Sequence, residues 1–104
     1  MIGIDLVFIP EFKKKLETSD LNTIFLDSEL RENQQIESLA AIFAAKEAFF
    51  KALGRKESWL DVWVEKEPSG KPNLKSRLLP SVKPELSVSH SGEYATAIVI
   101  IPSS

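Results

Sequence analysis

Two carboxylates stand where charge is expensive. Asp5 interrupts the apolar run Ile2-Gly3-Ile4-Asp5-Leu6-Val7-Phe8-Ile9, and an ionised side chain within a buried strand needs a partner. Glu47 lies in a stretch of good helix formers. On a helical wheel of about 100° per residue, Ile36, Ala40, Phe43, Phe50 and Gly54 fall within about 60° of it. Each carboxylate has an ordinary explanation. Lys51 follows Glu47 in the favoured order for a helical ion pair, and Asp5 could face outward or find a paired cation. Two misplaced carboxylates in one small chain also suit a shared hard cation. Magnesium takes a few carboxylates together with phosphate oxygens and water, and a lysine such as Lys51 acts on phosphate as a point charge.

His90 is the only histidine. The segment Ser89-His90-Ser91 ends a strand just before a tight turn, where ligand-facing groups often lie. A Ser–His–Asp hydrolase fits the residue types, but no glycine-flanked nucleophile elbow accompanies them. Gly70-Lys71-Pro72 reads locally as an exposed hairpin turn with a solvated lysine. Lys13-Lys14-Lys15 reads as a wet helix face, with a basic docking patch for an acidic protein as the sharper alternative.

The elements that must position these groups follow from pattern. A short strand, Ile2 to Ile9, gives way at Pro10 to a helix through Glu17, because a first-turn proline loses no needed N–H. Asp27 or Ser28 can cap a short helix through Arg31. Residues 35–53 predict a long helix closed by Gly54. Its side opposite Glu47 carries Ile42, Ala45, Phe49 and Leu53, so it is apolar nearly all round and must be buried in a core or a subunit interface. Two hairpins follow, one turning at Pro68-Ser69-Gly70 and the other at Ser91-Gly92-Glu93. The order is α+β: a single compact domain over residues 1–104, with an antiparallel sheet packed on the long central helix.

Composition narrows the class. The chain has 104 residues, 43% hydrophobic and 27% charged, which is ordinary for a globular protein. A net charge of −2 gives no reason to expect nucleic acid as a partner. The absence of cysteine excludes disulfides and thiolate metal sites. No apolar run is long enough to span a membrane and no basic, long apolar leader opens the chain, so the expectation is a soluble cytoplasmic domain.

Taken together, Gly3-Ile4-Asp5-Leu6-Val7, Phe43-Ala44-Ala45-Lys46-Glu47-Ala48, Lys51-Ala52-Leu53-Gly54, Gly70-Lys71-Pro72 and Val88-Ser89-His90-Ser91, in that order, resemble the phosphopantetheinyl transferase superfamily. The match is to its small holo-acyl-carrier-protein-synthase branch. The resemblance implies that Asp5 and Glu47 bind Mg2+ at the diphosphate of coenzyme A, with Glu47 and Lys51 as catalytic groups. It implies coenzyme A contacts for Lys46, Lys51, Lys71, Ser89 and His90, an apo carrier protein as acceptor, and a homotrimer with sites between subunits. Ile42 and Glu11 stand where the family often has arginine, and Arg55-Lys56-Glu57 replaces its common Thr-Gly. A non-catalytic carrier-binding or scaffold domain retaining the fold is the alternative.

Overall fold

The computed structural model describes residues 1–103 and is arranged about one helix. The chain runs β1 (Ile2–Phe8), α1 (Ile9–Glu17), α2 (Asp27–Glu32), α3 (Ile36–Leu53), β2 (Val62–Lys66), β3 (Pro72–Ser76), β4 (Glu85–Ser91) and β5 (Tyr94–Ile100). Short 3-10 turns, Leu21–Thr23 and Trp59–Asp61, sit before α2 and β2. The α+β expectation is met, with one change. The strands form two antiparallel sheets, β1-β5-β4 and β2-β3, where a single sheet was expected. None of the helices among the described residues is long and apolar enough to cross a membrane.

Helix α3 ends where its sequence says it should. Gly54 takes the left-handed conformation at φ 86° and donates its N–H to the Phe50 carbonyl, a geometry that favours glycine. From Leu39 to Ala52 every α3 residue except Glu47 and Lys51 is buried. β1, β5, β4, β2 and α1 all pack on it. The apolar circumference is therefore covered within the chain and leaves no helical face for a second subunit.

The apolar surface left over lies elsewhere. Along β1, Gly3, Asp5 and Val7 point inward, while Ile4 and Leu6 stand 63% and 65% exposed. The register places Ile2 beside Ile100, Ile4 beside Ile98 and Phe8 beside Tyr94. Side chains alternate across a strand, so these form one apolar outer face. Thr96 is the polar residue within the β1–β5 part of this face, and an exposed apolar patch of this kind is a candidate interaction surface.

Gly3 sets the approach of β1 to α3. A Cβ at this position would collide with the Ala48 carbonyl oxygen and lie 2.6 Å from the Ala52 backbone nitrogen. Backbone cannot yield as a flexible side chain can. Gly3→Ala is accordingly expected to destabilise the fold by about 1–3 kcal/mol, a fall in Tm of roughly 5–20 °C measurable by circular dichroism. An unchanged melt would contradict the tight contact. Because Asp5 shares the inward face with Gly3, the same approach presses Asp5 against α3.

Candidate active site

Asp5 is 7% exposed. Its Oδ1 accepts a hydrogen bond from Lys51 Nζ at 2.8 Å, and Lys51 Nζ also donates to the Ile4 carbonyl at 3.1 Å. Lys51 thus bonds across to β1, where sequence spacing alone offered Glu47 on its own helix. The cause is the close β1–α3 contact, which brings a buried carboxylate within reach. The hydrogen bond that Lys51 donates to Asp5 raises the Lys51 pKa, with the Asp5 and Glu47 charges adding to the rise against some loss to burial. The ammonium stays charged.

The other Asp5 oxygen, Oδ2, is buried without a hydrogen-bond partner. An orphaned buried acceptor costs about 1–3 kcal/mol, and more when charged. Glu47 is half-buried one turn before Lys51. Burial pushes its carboxyl pKa up and the Asp5 charge pushes it further, while Lys15, Lys51 and Lys56 oppose the shift. Two mutually repelling carboxylates, one with an unpartnered oxygen, form a hard donor pair that fits a divalent cation such as Mg2+. Among the described residues no group of three or more metal-ligating side chains converges, so water and ligand oxygens would complete the coordination.

The raised Glu47 pKa has a consequence for stability. In the folded chain Glu47 holds its proton more tightly than in the unfolded chain. Its cost is absent below the ordinary carboxylate value, grows as pH rises from there to the raised folded value, and is constant above it. With a chelator present, Glu47→Gln is expected to raise Tm by a few degrees near pH 7.5, a gain that shrinks to nothing toward pH 4. Thermal melts across that range check it, and a pH-independent difference would count against the coupling.

Two clefts meet at Glu47. One, of about 250 Å³, is walled by Val7, Phe8, Phe12 and Phe43, with Glu11 and Lys15 at its edge. The other, of about 450 Å³, is lined by Lys51, Arg55 and Lys56 together with Phe50 and Trp59. Sequence reasoning noted Arg55 and Lys56 only as a departure from the family pattern, without placing them at the site, and passed over Trp59. The basic pair immediately after the Gly54 cap was the available signal, since a helix end beside a candidate site is where loop residues acquire function. Glu11 therefore reaches the site, whereas Ile42 is buried in the core.

The other expected residues are not gathered here. Ser89 and His90 are exposed on β4, two strands from β1, or about 10 Å across the sheet. Ser89 lies in the outer-face row with Thr96 and Leu6. Lys71 is exposed in the β2–β3 turn, beside Lys83 and Glu85. Lys46 requires correction as a coenzyme contact. It is wholly buried, and its ammonium is hydrogen-bonded to Glu29, the Ile24 carbonyl and the Trp59 carbonyl. No part of it reaches either cleft.

Residues 1–99 match the family model of the 4′-phosphopantetheinyl transferase superfamily, and the chain belongs to that family. Curated relatives include the holo-[acyl-carrier-protein] synthase of Bacillus pumilus, 37% identical over 96% of this chain and 93% of the relative. That of Shouchella clausii is 40% identical over 96% and 95%. Among solved structures, the Helicobacter pylori holo-[acyl-carrier-protein] synthase in complex with coenzyme A superimposes with a TM-score of 0.90 at 29% identity, covering 98% of this chain and 100% of that one. The Bacillus anthracis synthase in complex with CoA (3′,5′-ADP) gives 0.87 at 34%, covering 99% and 96%.

Proposed function

We propose that this chain transfers the 4′-phosphopantetheine group of coenzyme A to a serine of an apo acyl-carrier protein, with Asp5 and Glu47 holding Mg2+. The observation that carries the reading is the Asp5–Lys51 bond beside Glu47, at the junction of an aromatic cleft and a cationic one. Family membership and the names of the relatives support the reaction class.

The chemistry needs alignment and charge neutralisation more than covalent help. The carrier serine Oγ bonds to the β-phosphorus, the bond from that phosphorus to its bridging oxygen breaks, and adenosine 3′,5′-bisphosphate leaves. Bound magnesium would neutralise diphosphate oxygens and polarise the phosphoryl group. Lys51, held charged by Asp5, contributes most as the bridging oxygen takes up negative charge. Glu47, directly or through water, is the group assigned to take the serine proton. The cations Lys51, Arg55 and Lys56 receive the phosphates.

The functional unit is read as a homotrimer with each site between subunits. The outer face of β1-β5-β4 is its support, in place of the helix circumference. Ser89 lies on that face, so assembly through it would carry Ser89 toward a neighbouring subunit, whereas His90 stands in the opposite row with Ala95 and Val7 and keeps its assignment to coenzyme A on the family resemblance alone. Lys71 is assigned to coenzyme A on the family resemblance alone.

Incubation with coenzyme A, magnesium and apo acyl-carrier protein, followed by intact mass measurement, tests the reading. The expected result is a carrier heavier by one phosphopantetheine. Folded protein that modifies no apo carrier, with a bacterial synthase succeeding in parallel, would favour the non-catalytic alternative.

A further inference from the structure

The proposed transfer makes no direct use of the ion pair between Lys46 and Glu29. Both side chains are 0% exposed, with Nζ and Oε1 2.7 Å apart. Lys46 Nζ also donates to the Ile24 carbonyl at 2.7 Å and the Trp59 carbonyl at 3.1 Å. Glu29 Oε1 accepts from the Leu26 N–H and Oε2 from the Val64 N–H, both at 2.9 Å. The pair thus joins the segment entering α2, the middle of α3, and the turn entering β2.

Net stability does not explain the arrangement, because apolar residues of similar volume often replace buried ion pairs at no loss. Burial in fact pushes the Lys46 pKa down, against the raising effect of Glu29. What charged hydrogen bonds add is direction. Here the direction ends on Trp59. Its ring stacks on Phe43 with centroids 5.0 Å apart, meets Phe50 edge-on at 5.5 Å, and lies beneath Lys56 Nζ at 4.3 Å. Trp59 is a wall of the cationic cleft. Lys46 immediately precedes Glu47, so one turn of α3 anchors both the carboxylate and the wall facing it.

We propose that the Lys46–Glu29 pair is a positioning device, which fixes Trp59 as the wall of the cationic cleft and thereby sets the affinity of that cleft for coenzyme A. The identity of the ligand rests on the function proposed above; the placement of Trp59 does not. Trp63→Phe leaves Trp59 as the sole tryptophan of the two in the chain. In that background, Lys46→Met is expected to shift Trp59 emission to the red and to increase its quenching by acrylamide. Displaced supporting groups commonly cost tenfold or more. The Kd for coenzyme A, read by Trp59 fluorescence, and its KM should therefore both rise about tenfold, with kcat at saturation within about threefold of wild type.

A merely structural role would lower Tm and the active fraction while leaving KM and Trp59 quenching unchanged. If Lys46→Met does not fold, Lys46→Met/Glu29→Gln, which leaves no unpaired buried charge, carries the test with the same expected shifts. Wild-type values of either Trp59 quenching or coenzyme A affinity in a folded variant overturn the proposal. Wild-type protein that binds coenzyme A but transfers nothing defeats the proposed function and leaves this inference standing. Wild-type protein that binds no coenzyme A overturns the cleft assignment.

Discussion

Asp5→Ala and Glu47→Ala are each expected to lower carrier modification by about 10²- to 10³-fold, the scale at which preorganised charge acts on phosphoryl transfer. Asp5 has two duties at this site. One oxygen holds the Lys51 ammonium, and the other is buried without a partner. Removing the carboxylate releases the lysine and deletes half of the donor pair. Glu47→Ala removes the other half together with the group placed to accept the serine proton. The two carboxylates act as one unit, so the double variant should be scarcely worse than either single one. The fold should tolerate Asp5→Ala, since the substitution relieves an unsatisfied buried oxygen. Rates from intact mass measurements over a magnesium titration, alongside thermal melts, decide the matter. Wild-type transfer by both variants at saturating magnesium would sink the metal assignment.

The second large effect is expected at Ile4. Its side chain stands exposed at the centre of the outer face, paired with Ile98 across the β1–β5 ladder. A charge there would be desolvated by any subunit packed on that face, without a countercharge to meet it. Ile4→Lys should therefore give a folded monomer by sedimentation equilibrium. Its activity should fall on the order of 10²-fold or more, because a site shared between subunits loses its second half. The Lys51 bond to residue 4 is made by the backbone carbonyl and survives the substitution. A wild-type monomer that transfers normally would remove the trimer from the account.

Much of the molecule was readable from local pattern. The proline-opened α1, the long α3 with its Gly54 cap, and both hairpins are consequences of propensity and turn chemistry, which act over a few residues. The motif order around Asp5, Glu47, Lys51 and His90 was sufficient for the family. Some local readings still missed the mark. The apolar run of β1 read as a buried strand, yet its inward residues are Gly3, Asp5 and Val7, and its larger side chains face out. Periodicity reveals two faces but cannot say which one the helix covers. That choice was made by Gly3, whose missing Cβ lets α3 lie flush.

Charge pairing was decided by the tertiary structure alone. Sequence spacing offered Lys51 to Glu47 on the same helix, and packing gave it to Asp5 on β1. Lys46 sits within the family motif beside Glu47, which suggested a ligand contact. In the fold it points the other way and meets Glu29 out of reach of solvent. Neither partner can be inferred from spacing, because an ion pair forms wherever packing brings two charges together and removes water. The sequence by itself determined which chemistry this chain carries and which elements hold it. Only the tertiary structure decided which charges face the site, which are struts behind it, and which apolar surface stays exposed.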